Sequence, residues 1–234
     1  MTTSSVSAVE RDTDFTAELI LNRVMNGQLA TKSGKTINAA SRLMATRHDA
    51  TAFDCGVVAE NVAYGKTIVQ ATQNALTELV DHVKKIRDIC ATDDPATRSQ
   101  DVTQTLKAQL DSILATEVDN VKVLENTGLN LIIGINNNNE TMTIGNANVL
   151  KGGEFNNLYD SLDDLTSEST EDIRDACDAA ITELYGCIAN QGVQYSILDN
   201  RYTLLNDLAL TYHRASDEQA VHMGGSMSVL NAFS

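Results

Sequence analysis

Between Asn61 and Cys90 two rows of residues recur at seven-residue spacing: Val62, Val69, Leu76, Val83 and Cys90, with Gly65, Thr72, Leu79 and Ile86 between them. A heptad with apolar first and fourth positions draws one stripe down a helix, and that stripe has to be buried against another helix. The matching stripe lies near the other end of the chain. Cys177, Ile181, Leu184, Ile188, Gln191, Tyr195, Leu198, Tyr202, Leu205, Ala209 and Tyr212 advance by alternating steps of four and three residues. Two such seams, far apart in sequence, predict a mainly α fold: an elongated antiparallel helical bundle or coiled-coil rod.

The remaining pattern fills in around these seams. Phe15, Leu19, Val24 and Leu29 suggest a short amphipathic helix, and Lys32 to Lys35 reads as a break before a stripe resumes at Ile37, Ala40, Leu43 and Met44. Pro95 closes the first long helix, because proline and its predecessor resist helical continuation. A second helix is expected over Thr97 to Ala115, on Val102, Leu106, Leu110 and Ile113, followed by an extended piece from Thr116 to Leu124. Leu129 to Ile135 and Glu140 to Ile144 flank Asn136 to Asn139, which predicts a β-hairpin near 129–144 resting on the helices. Gly145, Gly152, Gly153 and an acidic patch (Asp160, Asp163, Asp164, Glu168) then lead to Ser169-Thr170-Glu171-Asp172, a capping signal for the last helix. That helix is expected to run to about Arg214, with Gly224-Gly225 as a later break and Ser226 to Phe233 as a short apolar tail.

Composition narrows the classes. The chain has 234 residues, 4% aromatic residues, no Trp and one proline, which suits thin helical bundles better than a thick globular core. A formal net charge of −15 disfavours nucleic acid and anionic membranes as partners. No apolar run is long enough to span a bilayer, and the N-terminus lacks the basic start and apolar core of a secretory signal, so neither membrane insertion nor a cleaved leader is expected. The histidines His48, His82, His213 and His222 form no HExxH, and the acidic patch lacks the spaced oxygens and turn glycine of a calcium loop. Asn139-Glu140-Thr141 has the form of a glycosylation acceptor within the expected hairpin. No catalytic, cofactor or metal site is expected, and the chain reads as no enzyme. The four cysteines fit no metal spacing. Cys90 and Cys177 lie on the seams and read first as small buried hydrophobes. If the two long helices are antiparallel, they are also a possible disulfide, whereas Cys55 and Cys90 are roughly 50 Å apart along one helix.

Five segments, in order, resemble bacterial flagellins: Asn61–Leu79 (NVAYGKTIVQATQNALTEL), Val83–Ile89 (VKKIRDI), Val121–Leu124 (VKVL), Ile133-Gly134 with Glu140–Ile144 (ETMTI), and Asp178 to Gly192. Gly225 to Leu230 is similar to the family's terminal segment. The resemblance covers roughly residues 36–210 and implies a minimal, divergent flagellin with a shortened core domain and no variable outer domains. It divides the chain into an N-terminal inner-tube segment (1–35), a helical core domain with the hairpin (36–215) and a C-terminal inner-tube segment (216–234). The chain departs from the family in lacking roughly eleven residues between Asp49 and Ala75, about three helical turns, in its Arg47-His48-Asp49-Ala50-Thr51 stretch, and in carrying cysteine.

What the resemblance implies is a structural subunit that self-assembles into an extracellular flagellar or flagellum-like filament, a helical homopolymer built from repeated heterologous contacts. Its partners would be copies of itself, the flagellar export machinery and an export chaperone, and it would leave the cell unfolded without a cleaved signal. The packing residues would be Val62, Val69, Leu76, Leu79, Val83, Ile86, Ile181, Leu184, Ile188, Tyr195, Leu198 and Leu205, with Leu19 to Leu29 and Val229 to Phe233 ordering on assembly. Lys85 and Ile89 match the family's host-receptor face; Lys85 replaces an arginine and loses its planar fork, so weak recognition is expected. The alternatives are a secreted monomeric binding module and a hook-filament junction protein.

Overall fold

The computed structural model describes residues 33–90, 100–125, 128–135, 140–145, 147–162 and 169–232. The element order is α1 (Ser33–Cys90), α2 (Gln100–Leu114), β1 (Glu117–Val118), β2 (Val121–Lys122), β3 (Leu129–Ile132), β4 (Thr141–Ile144), α3 (Glu154–Ser161) and α4 (Thr170–Ala232). The fold is mainly helical with two small antiparallel strand pairs, β1-β2 and β3-β4. The expected N-terminal helix over Phe15 to Leu29 lies outside the described residues. The chain divides into two compact units, one formed by residues 59–202 and one by the flanking segments up to Val58 and from Thr203 onward.

Within the 59–202 unit the long helices pair antiparallel. Lys66 meets Asp199, Gln73 meets Ile188, and Arg87 meets Asp178, so partner numbers fall on α4 as they rise on α1. Both predicted rows of α1 are buried: Val62, Val69, Leu76, Leu79, Val83, Ile86 and Thr72 are fully enclosed, and Gly65 and Cys90 are buried with them. On α4, Leu184 and Leu198 are fully buried and Ile181 is buried, while Ile188 and Tyr195 are half-buried. Leu205 belongs to the other unit and is fully buried there.

α1 buries more than its seam. Ile68, Ala75, His82 and Ile89, again seven residues apart, form a second row, of which the first three are buried and Ile89 half-buried. This row turns toward the smaller elements: Ile68 packs near Gly145, and His82 Nε2 lies 3.3 Å from the Leu106 carbonyl of α2. The result is one core in which Leu76, Leu79, Val83 and Ile86 meet Leu106 and Leu110 of α2, Phe155 and Leu158 of α3, and Ile173 and Leu184 of α4.

The short elements differ from the sequence expectation in three places. Thr116 to Leu124 is no single extended piece but a hairpin, with Glu117 opposite Lys122 and Val118 opposite Val121. Asp119 and Asn120 take φ of 50° and 64° at its turn, left-handed geometry that Asp and Asn tolerate and that matches strand twist in two-residue hairpins. The β3-β4 hairpin is where it was expected, with Leu131 opposite Met142 and Leu129 opposite Ile144. Its strands stop early, because the N–H groups of Ile133 and Gly134 both donate to the Glu140 carbonyl, at 2.8 and 3.2 Å, which bulges the ladder. α3 was not expected at all. Phe155, Leu158 and Leu162 are buried at helical spacing, and the Glu183 carboxylate of α4 accepts the Phe155 N–H at 2.8 Å, capping the helix start from outside.

The ends of the long helices also differ. α1 already includes Ser33 to Lys35, where a break was expected. α4 begins as predicted: the Ser169 hydroxyl accepts the Asp172 N–H at 3.1 Å. It then runs through Gly224-Gly225 to Ala232 instead of ending near Arg214. Each glycine costs about 1 kcal/mol of helix stability relative to alanine, a penalty that weakens a long helix without forbidding it.

Candidate functional surfaces

The helix pair carries polar side chains beside its seam. With Val62 and Gly65 as first and fourth heptad positions, Lys66, Gln73, Val80 and Arg87 occupy the next position along, a row that borders the partner helix. Lys66 Nζ lies 2.5 Å from Asp199 Oδ1. It also sits 5.2 and 5.1 Å from the ring centroids of Tyr195 and Tyr202. The hydrogen bond to Asp199 raises the Lys66 pKa above its ordinary value, so the ammonium is held charged. Arg87 donates to Asp178 at 2.7 Å. Lys84 donates to the Tyr185 hydroxyl at 3.1 Å and lies over its ring. This flanking row was legible as a heptad position, yet only the antiparallel register shows which acids it meets.

The β3-β4 hairpin is fastened to the same pair. Arg201 of α4 donates through Nε to the Ile133 carbonyl at 2.6 Å and through a terminal nitrogen to Glu140 at 2.8 Å. Gln194 accepts the Gly145 N–H at 3.2 Å. Beneath the hairpin, Gly65 leaves α1 without a side chain where Leu131, Ile144 and Leu198 converge.

Lys85 and Ile89, the residues matched to a receptor face, line a groove of about 560 Å³ between α1 and α2, with Asp88, Val102, Thr105, Leu106 and Gln109. Lys85 and Asp88 are exposed at its rim, while Ile89, Val102 and Leu106 provide an apolar floor. One cation, one carboxylate and an apolar floor can seat a peptide-like surface.

The cysteines are all thiols: Cys55, Cys90 and Cys177 are buried and Cys187 half-buried. Cys90 and Cys177 share the core of the 59–202 unit. Burial, reinforced by Cys90, pushes the Cys177 thiol up to about 12. His82 is buried against α2, and desolvation lowers its pKa below the ordinary 6.5. In the other unit His48 stacks on Tyr212 at 5.8 Å, and His213 lies 3.9 Å from Asp49.

Among the described residues, no three or more His, Cys, Asp or Glu side chains are grouped to hold a metal ion. No described helix is long and apolar enough to cross a membrane. The five segments singled out in the sequence, Asn61–Leu79, Val83–Ile89, Val121–Leu124, Ile133-Gly134 with Glu140–Ile144, and Asp178 to Gly192, fall on α1, on β2 and the turn after it, on the β3-β4 hairpin and on α4. No protein-family model and no curated protein matches the chain.

Proposed function

We propose that this chain is a structural subunit that self-assembles into an extracellular, flagellum-like filament. The observation that carries this reading is the order of the five flagellin-like segments along α1, β2, the β3-β4 hairpin and α4, with the predicted seam positions of α1 buried. In this reading the helices form an elongated antiparallel coiled-coil rod, and its partners are further copies of the chain and a flagellar export apparatus that passes it unfolded. Exposed apolar doublets one turn apart on the helices support it. Phe53 and Val57 on α1 are 59% and 43% exposed, and Val193 and Ile197 on α4 are 60% and 45% exposed, surfaces that subunit packing would cover. Contacts of this heterologous kind build open helical arrays when their rotation does not close.

The test is negative-stain electron microscopy after salt-induced assembly, comparing the full chain with a variant lacking residues 1–30 and 216–234. Long filaments from the full chain and none from the shortened one support the reading; persistently monomeric full-length protein overturns it. A second reading, a secreted module that binds its partner as a monomer, is favoured by the groove that contains Lys85 and Ile89. A hook-filament junction role has less support, because the β3-β4 hairpin lies within the flagellin-like segments.

A further inference from the structure

Where α1 ends, its seam with α4 holds two thiols. Lys66 meets Asp199, Gln73 Nε2 lies 3.4 Å from where a Cβ on Gly192 would be, and Arg87 meets Asp178. Each step forward on α1 is thus a step back on α4, and one register holds along the pair. These contacts flank the seam, and carrying their register into it sets Val83 in one layer with Leu184. The same register sets Cys90, three residues after Arg87, in one layer with Cys177, the residue before Asp178. Both cysteines are enclosed, at 1% and 0% exposure, in one core. Burial pushes the Cys177 thiol up to about 12, and Cys90 is close enough to add to that shift.

Cys90 is the last residue of α1, so little helix has to shift for the two Sγ atoms to reach the bonding distance of about 2.05 Å. Other pairings fit the fold less well. Cys187 lies ten residues beyond Cys177 on α4, roughly 15 Å along the helix. Cys55 belongs to the other compact unit. In an unfolded chain the preference is reversed, because the shortest loop closes most readily and Cys177-Cys187 is the closest pair in sequence.

We propose that Cys90 and Cys177 form a redox latch set while the chain folds: in a reducing medium the seam closes over two thiols, and in the presence of a small-molecule disulfide it closes with a Cys90-Cys177 bond. In the open chain one cysteine thiolate attacks the small disulfide, forming a mixed disulfide and expelling a thiolate that takes up the proton the cysteine lost. The second cysteine thiolate then attacks the protein sulfur of the mixed disulfide, which forms the bridge and releases the second small thiol. Two protein thiols lose two electrons and two protons, and the small disulfide gains both. Once the seam is closed, burial withholds thiols and bridge alike from reagents, so the state chosen at folding persists. The bridge ties the end of α1 to the start of α4 and encloses α2, both hairpins and α3 in one covalent loop. The latch belongs to the 59–202 unit and does not depend on whether the chain polymerises.

The test starts from full-length protein, reduced and unfolded in urea. It is diluted into a mixture of reduced and oxidised glutathione where the chain is monomeric, quenched with an alkylating agent, and mapped without reduction by mass spectrometry. The Cys90-Cys177 link is expected to exceed every other linked pair by about fivefold or more, although Cys177-Cys187 closes the shorter loop. The bridged protein is expected to melt about 5 °C or more above protein refolded in excess reductant. Folded, reduced protein in the same glutathione mixture is expected to form the link about tenfold more slowly, or less readily still, than the refolding chain. C187S, which removes the competing loop, is expected to form the Cys90-Cys177 link as the wild type does. Absence of that link, a pairing led by Cys177-Cys187, a bridged protein that melts lower or fails to fold, or equally fast oxidation of the folded dithiol overturns the proposal.

Discussion

Gly65 lies directly beneath Leu131: a Cβ built on the glycine would come within 2.5 Å of the leucine Cδ2, with Ile144 and Leu198 at 3.2 and 3.4 Å. The β3-β4 hairpin rests on α1 at a notch only glycine provides. Alanine in a helix gains about 1 kcal/mol over glycine. Here, however, Leu131 must move while its neighbours close the space, and overpacking costs about 1–3 kcal/mol. G65A is expected to be net destabilising by about 1 kcal/mol and G65V by more, measured by denaturant unfolding. A stabilised G65A would show that the hairpin yields easily.

Arg201 should govern how tightly that hairpin is held. Its two donors reach the Ile133 carbonyl and the Glu140 carboxylate. A hydrogen bond involving a charged group is worth about 1.5–3 kcal/mol, with the exposed Glu140 end at the weak end of that range. R201A is expected to accelerate amide hydrogen exchange in Leu129–Ile132 and Thr141–Ile144 by roughly tenfold or more, while core amides of α1 in the same unit change less. Uniform acceleration throughout that unit would assign Arg201 to global stability instead.

Thiol reactivity follows from burial. Cys187 is half-buried, whereas Cys55, Cys90 and Cys177 are buried and the Cys177 thiol is pushed up to about 12. A chromogenic disulfide reagent at mildly alkaline pH should modify Cys187 first and the other three only on unfolding. Denatured, unreduced protein should titrate as four thiols. Two thiols in that measurement would instead establish a bridge, with Cys90 and Cys177 as the pair to map.

His82 gives the 59–202 unit a pH dependence. Burial lowers its folded-state pKa below the ordinary 6.5, so below that value the unfolded chain takes up a proton that the folded chain resists. Stability is therefore highest when the imidazole is neutral. It falls as pH drops through about 6.5 toward the folded pKa, below which the loss is complete. H82Q keeps a polar group near the Leu106 carbonyl and should flatten this part of the melting-temperature profile. Identical slopes in wild type and H82Q between pH 7 and 5.5 would exclude His82 as the source.

Much of this molecule was legible in its residues. The heptad rows identified the buried seam of α1 and, on α4, Ile181, Leu184, Leu198 and Leu205, while Ile188 and Tyr195 are only half-buried and α1 buries a further row at Ile68, Ala75 and His82. Ser169 announced the start of α4, since its hydroxyl completes a local cap. Asn136 to Asn139 separated the two strands of the β3-β4 hairpin. Nearby elements were missed for local reasons. Phe155, Leu158 and Leu162 have helical spacing, but α3 is only eight residues long, ends before Leu162 and follows two glycines. Asp119-Asn120 has the chemistry of a tight turn, but the β-favouring valines on both sides make the run read as one extended piece.

What the residues determined by themselves was which side of each long helix turns away from water, for that follows from backbone period and side-chain polarity. Only the tertiary structure decided what each side turns toward: Lys66 toward Asp199 and two tyrosine rings, His82 toward α2, Gly65 toward Leu131, and Gln191 into a layer that leaves its carbonyl unpaired. Burial is encoded locally, residue by residue. The identity of the neighbour depends on the register between segments more than a hundred residues apart along the chain, which many distant contacts select together.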